Sequence, residues 1–165
     1  PVSGGLKNGS FERCNTLALP ENWLYDVRYG TKFLCAPEAG YAGRGMAVEV
    51  DRAQKVAALV TQRVEFPAGA FQRATLSFLA KLDGVKSSKE GKGKYGMQVR
   101  FGMKHHGESS VERYRKQDIT GTSGWTLYQF PVVLRNNTDF LEIGIGLGPE
   151  TTGKVSFDNV RLELE

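Results

Sequence analysis

Short runs of alternating apolar and polar residues cover most of this chain, separated by Gly, Pro and Asn. Met46, Val48 and Val50 interleave with Ala47, Glu49 and Asp51. Val60, Gln62, Val64 and Phe66 interleave with Thr61, Arg63 and Glu65, and Pro67-Ala68-Gly69 ends that run. Leu76, Phe78, Ala80 and Leu82 alternate with Thr75, Ser77, Leu79 and Lys81. Tyr95, Met97, Val99, Phe101 and Met103 alternate with Gly96, Gln98, Arg100, Gly102 and Lys104. A strand over Trp125 to Leu134 is expected to be interrupted near Pro131. Leu141, Ile143, Ile145 and Leu147 alternate with Glu142, Gly144 and Gly146, and Val155, Phe157, Val160 and Leu162 close the chain. A period of two sends successive side chains to opposite faces of a strand. Many such runs, bounded by turn residues, predict an all-β sandwich of two antiparallel sheets. The helical signal is confined to RAQKVAAL, Arg52 to Leu59, which is compatible with one turn.

The length, 165 residues, suits a single domain over 1–165 with one core. Hydrophobic residues make up 40% and charged residues 24%, as in ordinary soluble domains. No run is long and apolar enough to span a bilayer, so no membrane partner is expected. Pro1 to Gly5 has neither the basic start nor the apolar stretch of a signal peptide, and the chain reads as a mature or excised piece of something larger. Lys plus Arg number 22 against 18 Asp plus Glu, a net charge of +4. That helps attract an acidic polymer but falls short of a nucleic-acid-binding face, and no nucleic acid is expected. Lys86, Lys89, Lys92 and Lys94 form the main basic cluster, either a solvated loop or a contact for an anionic glycan. Cys14 and Cys35 make no CxxC pattern; one disulfide of a secreted domain and two free buried thiols both remain open. His105 and His106 are adjacent on a strand, so they point to opposite faces and chelate a metal poorly. No GxSxG, HExxH or phosphate-binding glycine loop is present, and no two carboxylates are recognisably paired, so no catalytic residue is assigned.

Certain stretches also carry a resemblance. They are LKNGSFERCNTLALPENW (Leu6 to Trp23), QRVEFPAGAFQRATLSFLAK (Gln62 to Lys81) and GKVSFDNVRL (Gly153 to Leu162), with Trp125 after Gly124 fitting a late GW turn. In this order they resemble carbohydrate-binding modules of the family 4, 9 and 22 type, within the galactose-binding-like jelly-roll superfamily. Lys86 to Gly121 matches no pattern of these modules. The resemblance implies a jelly-roll β-sandwich that binds a polysaccharide, of the β-glucan or xylan class, without cutting it. It also implies tethering to the catalytic domain of a glycan-degrading enzyme, secreted or at the cell surface. The alternatives are a structural or adhesion β-sandwich mediating protein contacts, and a small jelly-roll lyase or hydrolase. Such modules further imply a structural calcium, held by side-chain oxygens of Glu12 and Asp158 and carbonyls of Ser10 and the Gly40–Gly45 turn, the hard ligands Ca²⁺ prefers. Ser10 and Glu12 share a parity opposite to that of Phe11.

Strand parity gives the outward residues, and the resemblance implies that the concave face they form binds the glycan; otherwise they are plain solvated sheet surface. Gln98, Arg100 and Lys104 point outward from one strand, Leu79 and Lys81 from another, and Glu142 flanks Gly144 on a third. If these strands share the concave sheet, they form a polar groove with a glycine floor. Arg100 offers a planar set of donors, and Gln98 both a donor and an acceptor. Trp23 is either a core plug or an aromatic platform at the loop rim, Tyr41 is a candidate platform there, and Trp125 is expected in the core. Arg113-Tyr114-Arg115 either serves an acidic sugar or decorates an exposed edge. The basic balance tilts slightly towards an acidic glycan and the resemblance towards a neutral one; a charge of +4 spread over 165 residues is a weak field at physiological salt, so the resemblance carries more weight.

Overall fold

The computed structural model describes residues 5–26, 29–88 and 95–165 together with the backbone of Val2–Ser3; Lys89, Lys92 and Lys94 lie outside the described residues. The strands are β1 (Val2–Ser3), β2 (Leu24–Tyr25), β3 (Thr31–Ala36), β4 (Gly45–Val50), β5 (Ala58–Glu65), β6 (Arg73–Ser87), β7 (Met97–His105), β8 (Val111–Ile119), β9 (Gly121–Val133), β10 (Thr138–Leu147) and β11 (Thr151–Leu164). One sheet, the back sheet, has the order β3-β4-β11-β6-β9, with β1 also paired to β11. The front sheet has the order β2-β5-β10-β7-β8. Neighbouring strands are antiparallel throughout. The chain crosses repeatedly between the sheets, and the result is the β-sandwich that the alternation predicts, with the jelly-roll form that the resemblance implies.

The alternating apolar residues meet between the sheets. Val48, Leu76, Phe78, Val155 and Phe157 from the back sheet join Val60, Val99, Phe101, Ile143 and Ile145 from the front sheet in one cluster. Each such side chain contributes roughly 1.5–3 kcal/mol by leaving water. Phe78 lies at its centre, edge-on to Phe157 at 5.3 Å and stacked with Tyr128 at 5.8 Å.

Several local expectations are corrected. Arg52 to Leu59 forms no helical turn; the chain runs directly into β5. β9 is not interrupted at Pro131, which pairs with Thr75. β9 is an edge strand, where a missing N–H is tolerated. The Asn8–Glu12 opening forms a turn: the Phe11 amide donates to the Asn8 carbonyl at 3.2 Å, and Phe11 has φ 54. The turn presses Phe11 fully into the core. It is fastened to the last strand, since the Val160 amide donates to the Gly9 carbonyl at 2.9 Å. A Cβ on Gly9 would lie 2.1 Å from the Val160 carbonyl oxygen, so only glycine permits this approach. Cys14 and Cys35 form a disulfide that ties the opening to β3, deciding between the two alternatives the sequence left open. Among the described residues no helix is long and apolar enough to cross a membrane.

Candidate functional site

The outward face of the front sheet is laid out by its register. Thr61, Gly144, Arg100 and Arg115 stand side by side across β5, β10, β7 and β8. The next row along the strands is Arg63, Glu142, Gly102 and Arg113, and beyond it come Glu65, Phe140, Lys104 and Val111. Strands about 4.8 Å apart make each row a line of closely spaced side chains. Arg100 donates from Nη2 to Glu142 Oε1 at 3.3 Å, with the two side chains 26% and 36% exposed. The Arg63 guanidinium covers the Phe140 ring at 4.0 Å. Lys104 bends back to donate to the His105 carbonyl at 3.2 Å. Among the described residues, Arg113 and Arg115 make no ion pair.

Two clefts open at one end of this face and share Ala57 and Arg100. The larger, about 480 Å³, is lined by Lys55, Val56, Ala57, Tyr95, Gln98, Arg100, Arg115, Gln117 and Pro149. The smaller, about 270 Å³, is lined by Leu24, Tyr25, Asp26, Ala57, Leu59, Thr61 and Arg100. Gly144 keeps the floor between them low: a Cβ there would meet Leu59 Cδ1 at 3.1 Å, Thr61 Cγ2 at 3.4 Å and Arg100 Cβ at 3.7 Å. Gly146 has a different cause, because a Cβ on it would lie 2.0 Å from the Ala58 carbonyl oxygen.

The expected residues fall into separate places. Arg100, Lys104, Glu142 and Gln98 do share one face. Gln98, however, is not an open surface group. It is 2% exposed, and its Oε1 has no hydrogen-bond partner. A buried acceptor without a donor typically costs about 1–3 kcal/mol. Leu79 and Lys81 belong to β6 of the back sheet, so they point out on the opposite side of the sandwich; the expectation that they line the same groove is corrected. Trp23 is not a rim platform. It is 3% exposed, packs on Phe11 at 5.5 Å and donates from Nε1 to the Asn8 carbonyl. Tyr41 is 58% exposed but sits edge-on to Trp125 at 5.8 Å, beside the back sheet. Trp125 itself is half-buried on β9 rather than enclosed in the core.

Sequence reasoning missed Tyr95, assigned to the inward parity, and Lys55. Tyr95 precedes β7 and lines the larger cleft. Arg113 and Arg115 were open between two roles because β8 shows no alternation of burial along its exposed edge. Thr61 and Arg63 were legible as the polar parity of β5, but nothing local marked them as part of a site.

The two acids expected at a metal site converge on one turn. Asp158 Oδ2 accepts the Tyr41 amide at 2.9 Å, its Oδ1 accepts the Asn159 amide at 2.7 Å, and Glu12 Oε1 accepts the Arg44 amide at 3.1 Å. Ser10 and Glu12 are both exposed, flanking the buried Phe11. Among the described residues no three His, Cys, Asp or Glu side chains cluster to hold a metal. His105 and His106 diverge, as their adjacency predicts: His105 is buried with Nδ1 2.9 Å from Thr138 Oγ1, and His106 is exposed.

No protein-family model matches the chain, and no curated protein sequence matches it. Solved structures do. The xylan-binding CBM22-1 domain of Paenibacillus barcinonensis Xyn10C superposes with a TM-score of 0.58 at 14% identity, covering 94% of this chain and 91% of its own. TmCBM61, solved in complex with β-1,4-galactotriose, gives 0.54 at 16% identity, covering 99% of this chain and 100% of its own. The enzymatically active domain of tailspike protein 4 from bacteriophage CBA120 gives 0.67 at 14% identity over 98% of this chain, which spans only 21% of that one. The fold is thus the jelly roll used by carbohydrate-binding modules, and it also occurs within an enzymatically active chain.

Proposed function

We propose that this domain binds a polysaccharide without cutting it, with the glycan lying across β5, β10, β7 and β8. The observation that carries this reading is the cleft over the front sheet, where Gln98 and Arg100 sit beside a glycine floor and Tyr95 supplies a ring. Sugars bury their apolar ring faces on such side chains while fixed polar groups select hydroxyls. Burial of roughly 100 Å² is worth about 2.5 kcal/mol. A few such contacts, less the cost of association, place affinity in the micromolar to millimolar range, about −4 to −8 kcal/mol. The described lining of the larger cleft contains no carboxylate, Glu142 beside it is held by Arg100, and the smaller cleft contributes Asp26 alone, whereas glycoside hydrolysis needs two carboxylates about one bond. The disulfide supports an oxidising, secreted or cell-surface location, and the module-like fold supports tethering to a catalytic domain. Xylan, β-glucan and β-1,4-galactan are the first polymers to test by retardation in a polysaccharide-loaded gel. Release of new reducing or unsaturated sugar ends would instead establish a lyase or hydrolase.

A structural calcium is a second part of the proposal, supported by the convergence of Glu12 and Asp158 on one turn. When bound, the ion would tie the opening turn, the 40–45 turn and β11 together. A ligand that binds only the native state adds stability, so chelator should lower the Tm of metal-loaded protein by several degrees. Glu12→Ala and Asp158→Ala should each abolish that shift; an unchanged Tm with chelator removes calcium from the account.

A further inference from the structure

We infer that the polysaccharide taken by the front sheet is anionic, its carboxylate or sulfate groups read by Arg100 and Arg115; this rests on the proposed glycan-binding role of that face. Arg100 and Arg115 are directly opposite each other on neighbouring strands and point to the same side. Like charges so placed destabilise a sheet. Arg113 follows on the same side of β8, opposite Gly102, which contributes no side chain to separate it from the others. Glu142 partners Arg100 alone, leaving Arg113 and Arg115 without a carboxylate among the described residues. Lys55 lines the same cleft as Arg100 and Arg115.

The back sheet shows that this crowding is not forced by the fold. There Lys32, Glu49, Lys154 and Asp83 stand side by side on successive strands, alternating in sign. In that row, unlike the row of Arg100 and Arg115, every charge has a neighbour of opposite sign. The second observation is Gln98, whose buried Oε1 lacks a donor in that cleft. A sugar hydroxyl is a donor, and the planar guanidinium forks beside it match the paired oxygens of a carboxylate or sulfate. On the front rows the Phe140 ring is covered by the Arg63 guanidinium.

The test is gel retardation and calorimetry of the whole domain with polygalacturonate, dextran sulfate, uncharged dextran, xylan, β-glucan and duplex DNA. Polygalacturonate or dextran sulfate should bind and uncharged dextran should not, with the stronger of the two charged polymers telling carboxylate from sulfate. Affinity should fall steeply as salt rises from about 50 mM to about 500 mM. Arg115→Ala should weaken binding about 10- to 100-fold, the scale of one charged hydrogen bond. Arg115→Lys should recover only part of that, because it restores charge without the fork. Lys32→Ala, on the back sheet, should change nothing. Tighter, salt-insensitive binding to xylan or β-glucan, unaltered in the Arg115 variants, would overturn the anionic assignment and leave the glycan-binding role standing. Retardation by no polymer would overturn both. DNA binding as tight as polygalacturonate binding would reduce the face to a general polyanion surface and overturn the assignment.

Discussion

On the back sheet each charged residue in the row Lys32, Glu49, Lys154 and Asp83 has a neighbour of opposite sign. On the front sheet Arg115 has Arg100 as its neighbour, and the side chain that would lie beside Arg113 is missing at Gly102. Both faces belong to antiparallel strands of the same sandwich, so backbone geometry does not account for the difference. Opposite charges directly across strands contribute roughly 0.2–1 kcal/mol each, and like charges oppose folding by a similar amount. The back-sheet row favours the folded state unaided, whereas the pairing of Arg100 with Arg115 opposes it, a cost that the proposed anionic ligand would relieve.

The contrast can be pressed by measurements of decreasing size. The largest effect concerns the back-sheet side, where the Cys14–Cys35 bridge fastens the opening turn to β3 across a separation of 21 residues. Reduction or Cys35→Ala should lower unfolding stability by about 3 kcal/mol in denaturant titration. Front-face affinity should be unchanged at temperatures where the protein stays folded; a parallel loss of binding would show that the two faces are not independent. Next, Arg100→Ala should weaken glycan binding by about 1.5–3 kcal/mol in calorimetry while the melting curve barely moves. Full-strength binding would place the ligand away from the shared wall of the two clefts. Gln98→Ala should cost less, about 0.5–1.5 kcal/mol of binding, the scale of a neutral hydrogen bond. The smallest effects are the most discriminating. Arg115→Glu converts a like pair into an opposite pair and should raise stability by about 0.2–1 kcal/mol while impairing binding of an anionic glycan. Glu49→Lys on the back sheet should do the reverse, losing a similar amount of stability and leaving binding alone. If both substitutions shift stability in the same direction, the proposed division between the faces fails.

The inward half of this architecture was legible because burial enforces a period of two. Met97, Val99 and Phe101 announce one strand, and Ile143 and Ile145 announce another, without any knowledge of partners. The edge strand β8 was not, because only part of one side packs: Tyr114 stacks on Phe101 at 6.2 Å, while Glu112, Arg113 and Arg115 remain exposed. Strand pairing was also beyond the sequence. Parity put Leu79 and Lys81 outward, correctly, but could not say from which sheet; the crossover that pairs β6 with β11 carried them to the far side. For Trp23 the deciding fact was the turn at Asn8–Phe11, whose left-handed Phe11 creates the hydrophobic niche the indole fills. Within the site, Arg100 and Glu142 came together as expected because β7 and β10 are adjacent, with Gly102 opposite Glu142 and Gly144 opposite Arg100.

Among the described residues β8 has one neighbour, so its outer side offers amides and carbonyls along an open edge. Such an edge invites a strand from another molecule, and natural sheets discourage this with charge or proline. Here Glu112, Arg113, Arg115 and Lys116 crowd the front-sheet edge, while Pro131 interrupts the donor series on the β9 edge of the back sheet. The arginines proposed to recognise the ligand would therefore also discourage self-association. Removing them to reshape specificity would leave a flatter, less charged edge, and the resulting protein would be more prone to assemble with copies of itself.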